Sequence, residues 1–544
     1  MTSSSYEAAN PLAAGISRAI STSTADLVVL DQESGQWQRY PWPEIHAKAE
    51  RIASEILARA DRAVGRVGLI GEPTAELVAA ILGAWMAGTT VSILPGPVRG
   101  ADPAAWARTS LRRFADIGVR TVFSHTGTLE LLASAETAVH VADLAVVGRS
   151  GLSSSFTPEA GGDGGSLAVL QGTAGSTGMP KWVELSRDTA VANIDGVVDR
   201  LGLTPADVGC SWLPLYHDMG LTFLMSTLVT GIPLWLAPNS AFAAGPFKWM
   251  NWLSDAGATY TAAPNFAYDI VGRYGRLIKD ADLGRMRIAI SGGEPIDTAG
   301  FQRFLDETTR VGFDPGAAVP AYGLAESTCA VTMVRPGAGL RVDEVRVEDR
   351  GDGTATTRRL AVLGEPIPGT EVRITPSDPA PQAIEGREVG DVEIRGTSMM
   401  DGYFGDERLS PDGWFKTGDI GYLVDGALVV CGRAKELIIV AGRNVFPTEI
   451  ERAAATVDGV RSGRVVAIGT GAGAARPGLA IAAEYKGADE TSARAAIVER
   501  VASECGIVPS EVILVPAGGL PITTSGKLRR LEVKRLVESA GAAK

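Results

Sequence analysis

Cysteine and histidine are scarce in this sequence, and their scarcity argues against two kinds of site. Only four of the 544 residues are cysteine and four are histidine. The cysteines are widely scattered, and neither a Cys-x-x-Cys nor a His-x-x-His pair occurs. This pattern disfavours a disulfide framework and a zinc site, and it fits a reducing compartment. We therefore expect a cytoplasmic protein.

Positive charge is also in short supply. The sequence has 51 lysine and arginine residues against 63 aspartate and glutamate residues, a formal net charge of -12. Such an acidic balance argues against a general nucleic-acid binder. With 45% hydrophobic and 21% charged residues, the composition is typical of a soluble globular protein.

No clear targeting or membrane segment is present in the sequence. The N-terminus has no basic region followed by an apolar stretch, so no signal peptide is expected. Residues 219–238 carry no charge and have about the length of a membrane span, but Gly220, Gly231 and Pro233 interrupt them. We expect a buried helix over Leu221–Thr230 that leads into a core strand, and no integral membrane segment.

Strand and helix patterns alternate along the first half of the chain. Apolar runs at Val67–Ile70, Val91–Leu94 and Ser211–Leu213 predict strands, and Glu76–Ala87 has a helical pattern. Strands that alternate with helices are typical of a largely parallel sheet with helices on its faces. The sequence therefore predicts an α/β protein.

The character of the sequence changes twice toward the C-terminus. From about Glu371 the runs become β-like, and from about Glu436 a separate mixture of strand and helix patterns begins. A chain of this length exceeds one ordinary core. We expect a large N-terminal domain of layered sheets and flanking helices over residues 1–434, with a small β subdomain from about 371. A small, mobile α+β domain is expected over residues 435–544.

The most distinctive segment is Leu170–Lys181, with the sequence LQGTAGSTGMPK. Its glycines allow sharp turns and close ligand approach, while its N–H groups and hydroxyls suit an anion. It is not the common P-loop, because two residues separate Gly178 from Lys181 and Trp182 follows the lysine. The segment predicts a phosphate site, and a flexible Gly/Ser connection is the alternative. The candidate phosphate ligands are Thr173, Gly175, Ser176, Thr177, Gly178 and Lys181.

Five further motifs follow this loop in a fixed order. They are Ser291–Pro295, Tyr322–Thr328, Trp414–Asp419, Gly432–Glu436 and Pro521–Arg530. With the glycine loop, they resemble the adenylate-forming (ANL) superfamily of acyl-CoA synthetases, peptide-synthetase adenylation domains and luciferases. Each motif alone is weak, but the ordered set from Leu167 to Arg530 is specific.

The resemblance implies that ATP and Mg²⁺ bind here. Tyr322 would lie against adenine, since an aromatic face suits a nucleobase. Glu326 would hold Mg²⁺, because a hard cation prefers carboxylate oxygen. Taken alone, this motif could also be a strand end with a capping glutamate. The residues expected on the adenine side are Gly292, Gly293, Glu294, Tyr322 and Gly323.

Four further roles follow from the same resemblance. Asp419 would accept hydrogen bonds from both ribose hydroxyls, and Arg433 would contact the ribose, unless it forms only a surface ion pair. Lys435 would be the hinge for the C-terminal domain. Lys527 would place a cation near the substrate carboxylate and the α-phosphate, although lysines in such tails are often merely solvated.

Two segments narrow the resemblance to one branch. Trp212–Gly220 and Ala263–Asp269 closely resemble fatty-acyl-AMP ligases, which pass fatty acids to carrier proteins rather than to coenzyme A. His217 would lie near the acyl carboxylate and phosphates, with a structural histidine as the alternative. The polar segment Pro336–Arg359 resembles an insertion that disfavours the coenzyme A reaction in that branch, in a shorter form.

The resemblance therefore predicts an enzyme that activates a long-chain fatty acid with ATP to acyl-AMP. It would then transfer the acyl group to the phosphopantetheine thiol of a separate acyl carrier protein. An acyl-CoA synthetase, a stand-alone amino-acid-adenylating enzyme and a non-catalytic adenylate-binding protein are the alternatives. Basic residues from Lys527 to Arg535 could dock the carrier or form a solvated helix face. Similarity to ligases of mycobactin-type siderophore biosynthesis is carried by Gly209–Pro214, Ser398–Met400 and Val501–Val508.

Overall fold

A computed structural model describes most of the chain. The described residues are 10–58, 65–97, 102–135, 137–147, 167–173, 181–348, 355–378, 383–410, 412–436, 438–440, 443–470, 478–505, 507–522 and 528–542. Strands and helices alternate through the first half, and strands dominate from Val342 to Val445. The protein has the predicted α/β fold.

The strands are β1 Asp26–Leu30, β2 Trp37–Pro41, β3 Arg66–Ile70, β4 Thr90–Leu94, β5 Thr121–Ser124, β6 His140–Asp143, β7 Leu167–Thr173, β8 Lys181–Ser186, β9 Gly209–Ser211, β10 Leu234–Leu236, β11 Tyr260–Ala263, β12 Ile288–Ser291, β13 Ala318–Gly323, β14 Ala330–Met333, β15 Val342–Glu348, β16 Ala355–Ala361, β17 Glu365–Pro366, β18 Thr370–Thr375, β19 Gly390–Gly396, β20 Gly402–Tyr403, β21 Phe415–Val424, β22 Ala427–Arg433, β23 Ile438–Val440, β24 Arg443–Val445, β25 Val460–Thr470, β26 Gly478–Tyr485 and β27 Glu511–Val515.

The α-helices are α1 Pro11–Ile20, α2 Trp42–Ala58, α3 Ala75–Met86, α4 Pro103–Asp116, α5 Thr126–Ala133, α6 Leu144–Val147, α7 Arg187–Leu201, α8 Asp218–Thr230, α9 Asn239–Ala244, α10 Lys248–Ala256, α11 Asn265–Arg273, α12 Thr298–Thr309, α13 Pro447–Ala455, α14 Glu490–Cys505 and α15 Arg530–Ala542.

Two large sheets make up the first part of the protein. Sheet A has the order β17-β14-β13-β12-β11-β9-β10-β1-β2, and sheet B has the order β20-β8-β7-β4-β3-β5-β6. The strands from β13 to β1 in sheet A are parallel, as are those from β7 to β6 in sheet B. Helix α3 is almost entirely apolar and buried, and it contributes to one continuous core with residues of both sheets. Burial on both faces explains why these strands are uninterrupted apolar runs.

The later elements build smaller sheets with separate cores. β18, β19, β21 and β22 form an antiparallel sheet, and β25, β26 and β27 form a mixed one packed against α13 and α14. A side-chain contact joins this last sheet to sheet A's flank, because the Ser462 hydroxyl of β25 donates to Asp269 of α11 at 2.9 Å. Arg273 in turn donates to Ser462 at 2.7 Å.

The predicted elements agree with the structure, with two corrections. The predicted strand at Ser211–Leu213 is shifted: β9 ends at Ser211, because the chain leaves the sheet at Trp212 toward Pro214. The β-rich region also begins before Glu371, since β15 and β16 pair as an antiparallel hairpin. Most of this hairpin lies within the predicted polar insertion, whose charged residues and glycines obscured the alternating pattern of its strands.

The segment at 219–238 forms helix α8 and strand β10, as predicted. Among the described residues, no helix combines the length and apolar character needed to cross a membrane.

Candidate active site

The candidate residues lie at the carboxyl ends of neighbouring strands of sheet A. Strands β9, β11, β12 and β13 run parallel and adjacent. Trp212 follows β9, Pro264 follows β11, Gly292 follows β12, and Tyr322 lies near the end of β13. Open α/β sheets bind ligands at this edge. The fold therefore brings four motifs from distant parts of the sequence to one edge.

Two predicted ligand residues, Tyr322 and Arg433, converge on a third, Asp419. The β21–β22 pairing sets Asp419 opposite Arg433, with Arg433 Nε 3.2 Å from Asp419 Oδ1. The Tyr322 hydroxyl donates to Asp419 Oδ2 at 2.5 Å. The Asp419 side chain is 8% exposed, whereas that of Arg433 is 58% exposed. A buried carboxylate is thus held between a tyrosine and a partly exposed guanidinium.

The surroundings of Asp419 suit a diol. Burial raises the pKa of Asp419 above its ordinary value, while Arg433 and Tyr322 favour its ionised form. Burial beside this carboxylate also holds the pKa of Tyr322 well above its usual range, so the tyrosine keeps its proton. A carboxylate has about four lone-pair sites. In the described part of the chain, Tyr322 and Arg433 use two of them, which leaves acceptors for two hydroxyl groups.

Glu326 lies in a short 3₁₀ turn, Ala325–Ser327, directly after β13. The Tyr403 hydroxyl donates to Glu326 Oε1 at 2.7 Å. Gly323 makes the turn possible, since a Cβ atom there would lie 1.9 Å from the Cys329 carbonyl oxygen. The turn therefore presents one carboxylate whose orientation is set by Tyr403.

The base of the glycine loop lies next to this carboxylate. Strands β7 and β8 form an antiparallel hairpin, in which Thr173 stands opposite Lys181 and donates to its carbonyl oxygen at 3.1 Å. Lys181 Nζ is 3.4 Å from Asp406 and 4.2 Å from the ring centroid of Tyr403. Tyr403 thus contacts both Lys181 and Glu326. Sequence analysis missed Tyr403, because only the pairing of β20 with β8 brings it here.

Several predicted residues fall outside the part of the chain that the structure describes, and their roles stay predictions. They are Gly175, Ser176, Thr177, Gly178 and Lys527.

A small cavity joins the predicted adenine side to the predicted acyl side. Its volume is about 40 Å³, and Gly293, Glu294 and His217 are among its lining residues. Glu294 Oε1 accepts a hydrogen bond from the Phe266 N–H at 2.6 Å. His217 Nδ1 lies 2.5 Å from Asp218 Oδ1, and its side chain is 26% exposed. His217 is therefore accessible from the cavity and oriented by a carboxylate.

Three buried polar groups at this edge have no hydrogen-bond partner among the described residues. They are Trp212 Nε1, Asn265 Nδ2 and Ser291 Oγ. An unpaired buried donor costs about 1–3 kcal/mol. These groups follow or end β9, β11 and β12, so the edge carries unused polar groups where a polar ligand would fit.

The predicted hinge lies near Arg530, one residue of the predicted basic cluster. Lys435 is in a 3₁₀ turn, Ala434–Glu436, directly after Arg433. Glu436 Oε2 is 3.4 Å from Arg530 Nε, and Arg530 also donates to Glu451 at 2.7 Å. Arg530 is therefore engaged in internal ion pairs. This disfavours its predicted part in docking a carrier protein.

Comparison with known proteins identifies the family. A family model described as "AMP-binding enzyme" matches residues 18–404. A Mycobacterium tuberculosis protein named as a ligase, Rv1013, is 36% identical over 524 residues, covering 92% of this chain and 95% of that protein. The long-chain-fatty-acid–AMP ligase FadD26 of Mycobacterium marinum is 30% identical over 535 residues, covering 90% of each chain.

Solved structures agree with this result. One from a study of fatty acyl-adenylate ligases from E. coli and L. pneumophila has a TM-score of 0.86 and 29% identity, covering 98% of both chains. McyG, solved with phenylalanyl-adenylate, has a TM-score of 0.83 and 23% identity, covering 97% of this chain and 95% of that one, which shows the shared fold alone. The chain therefore belongs to the AMP-binding enzyme family, the adenylate-forming superfamily that its ordered motifs resemble.

Proposed function

We propose that this protein is a ligase that joins a long-chain fatty acid to ATP, giving acyl-AMP and pyrophosphate. The observation that carries the proposal is the convergence of Tyr322 and Arg433 on Asp419, at the sheet edge where His217 faces a cavity. Relatives named fatty-acid–AMP ligases support the substrate class.

In this proposal the nucleotide lies along the carboxyl ends of β12 and β13. Asp419 accepts hydrogen bonds from the ribose hydroxyls, and Arg433 keeps it ionised. Thr173 and Lys181 hold the phosphates at the base of the glycine loop. Positioning and countercharge are the main task, because the fatty-acid carboxylate and the α-phosphate repel each other.

Glu326 fits a magnesium ion in this site. Mg²⁺ is commonly held by one or two carboxylates together with phosphates and water, rather than by a cage of side chains. Among the described residues, no group of three or more potential metal ligands occurs, and Glu326 stands as a single oriented carboxylate. When bound, the ion would neutralise charge on the phosphates. Tyr403 would hold the carboxylate in place.

We further propose that the acyl group passes to the phosphopantetheine thiol of a separate acyl carrier protein. The thiol sulfur bonds to the acyl carbon, the bond to the AMP oxygen breaks, and the thiol proton leaves to solvent. Residues 435–544 would turn about Lys435 between the two steps, a recognised form of gating. A place in mycobactin-type siderophore biosynthesis rests on the sequence resemblance.

The β15–β16 hairpin supports a carrier protein over coenzyme A as acceptor. It is tied to the sheet behind it, since Asp343 of β15 accepts from Tyr422 at 2.7 Å and from Arg387 at 2.9 and 3.0 Å. In the resembling branch, an insertion at this place restrains the small domain. A hairpin can restrain another domain only if it is itself held in place, and the contacts of Asp343 hold this one.

A pyrophosphate-release screen across fatty acids and amino acids tests the proposed activity. We expect release with fatty acids and acyl-AMP in the mass spectrum, because the cavity lining is largely apolar. When coenzyme A and a holo carrier protein are offered together, we expect the acyl–carrier thioester. Acyl-CoA as the main product would instead assign an acyl-CoA synthetase. Aminoacyl-AMP as the product would instead indicate an amino-acid-activating enzyme. If no acid gave an adenylate, the protein would be a non-catalytic adenylate-binding protein.

Replacing Lys435 with proline is expected to separate the two steps. The residue lies in a 3₁₀ turn, whose φ suits proline, but the proline ring prevents rotation about that bond. Acyl-AMP formation should therefore persist, while transfer to the carrier protein falls by about tenfold or more. Lys435→Ala is the matched control, since it removes the charge and leaves the backbone free to turn. Equal transfer rates in both variants would contradict the hinge assignment.

A further inference from the structure

The cavity beside His217 is too small for a long acyl chain. At about 40 Å³, it has room for about three water-sized groups. Trp212 lines the cavity, and its side chain is 2% exposed. Phe242, which is 3% exposed, stacks directly on Trp212. A chain that extends past His217 would therefore meet this pair of rings.

The two rings are stacked more closely than aromatic pairs prefer. Their centroids are 3.6 Å apart and their planes differ by 3°, whereas aromatic pairs favour offset or edge-on arrangements about 4.5–7 Å apart. Trp249 and Phe266 pack edge-on against both rings, at 6.0 to 6.4 Å. The stack is thus enclosed by other aromatic rings, and an acyl chain that entered between its two rings would replace their mutual contact with its own.

The segment that carries Phe242 is short and bounded by helix-breaking residues. Helix α9 has six residues, with Pro238 at its N-cap and Gly245 at its C-cap. Trp212 itself stands just outside β9, and its buried indole N–H finds no acceptor among the described residues. Among the described residues, therefore, no side-chain hydrogen bond holds the ring of Trp212 or Phe242 in place.

We infer that the Trp212–Phe242 stack is the stop that limits acyl length, so that a long chain binds only when the rings separate. The inference rests on the proposed fatty-acid activation and adds to it two specificity-determining residues. Each methylene that gains a buried site should improve affinity about fourfold. Shortening either ring should therefore favour long acids over short ones.

The test compares wild-type protein with Trp212→Leu and Phe242→Leu on saturated acids from butanoate to palmitate. We expect the ratio of kcat/KM for palmitate over hexanoate to rise about tenfold or more in both variants. Hexanoate itself should change less than palmitate, since fewer of its carbons extend beyond the small cavity. An unchanged ratio in both variants would overturn the inference.

Trp252→Leu is the matched control. Trp252 is also buried, at 5% exposure, but it packs against Trp37 rather than Phe242. Trp252→Leu should keep the wild-type ratio of kcat/KM for palmitate over hexanoate. An equal rise of that ratio in this variant would show that any loss of a buried aromatic ring has the same effect, and it would overturn the inference. Calorimetric binding of decanoate and hexanoate without ATP supplies a second measurement. If no fatty acid releases pyrophosphate, the proposed function fails, and the binding ratio still decides whether the stack is a stop.

Discussion

Replacing Lys527 with alanine is expected to lower kcat for fatty-acid-dependent pyrophosphate release by about 100- to 1,000-fold. The proposed reaction brings a carboxylate against an α-phosphate, and negative charge builds on that phosphate. A lysine at this point offsets the charge mainly in the transition state, so KM for ATP should change far less than kcat. Stopped-flow measurement of the first turnover separates this effect from product release.

A neighbouring basic residue, Arg529, provides the control for this prediction. Arg530 is held by Glu451 and Glu436, so the segment that bears Lys527 leads into a fixed helix start. Arg529 lies just before α15, and its exposed side chain pairs only locally in the described chain, with Glu532 at 2.5 Å. Arg529→Ala should therefore keep nearly full activity. If Lys527→Ala matches it, the assigned role of the lysine is wrong.

Much of the fold could be predicted from the sequence because its elements are locally marked. Strand β4 was predicted to within one residue at its start, and helix α3 to within one residue at each end. Both are dense apolar runs between turn residues, where local preference and burial agree. The motifs at Gly292 and Tyr322 could also be recognised in the sequence, since Gly292 comes directly after one apolar strand and Tyr322 lies near the end of another.

The features that could not be predicted depend on pairing between distant segments. Tyr403 reaches Glu326 only because β20 pairs with β8, which lies far earlier in the chain. The Trp212–Phe242 stack likewise joins the end of β9 to α9. Tyr403 and Phe242 carry no local signal, because a single aromatic side chain is usually a core residue. The sequence pattern thus identifies the motif residues, whereas the pairing of distant strands determines which other side chains contact them.

The second large effect concerns ATP binding by Asp419, and Asp343 provides the matched comparison. Each accepts hydrogen bonds from a tyrosine and lies beside an arginine, yet their pKa values shift in opposite directions. Hydrogen bonding by Arg387 lowers the pKa of Asp343, whereas burial raises that of Asp419. The Asp343 carboxylate is thus stabilised by its own partners, and Asp419 keeps an ionised form that a ligand can still stabilise.

Asp419→Asn is therefore expected to weaken ATP binding by about 10- to 100-fold, the loss expected for charge-assisted hydrogen bonds to the ribose. Asp343→Asn should destabilise the fold instead and leave the ATP affinity unchanged. Only the ionised carboxylate accepts both ribose hydroxyls, so wild-type affinity should fall as the pH drops through the raised pKa of Asp419. That fall should begin at a higher pH than for an ordinary aspartate, and Asp419→Asn should lack it. Calorimetric titration with ATP across pH measures both effects, and unchanged affinity in Asp419→Asn would remove the ribose assignment.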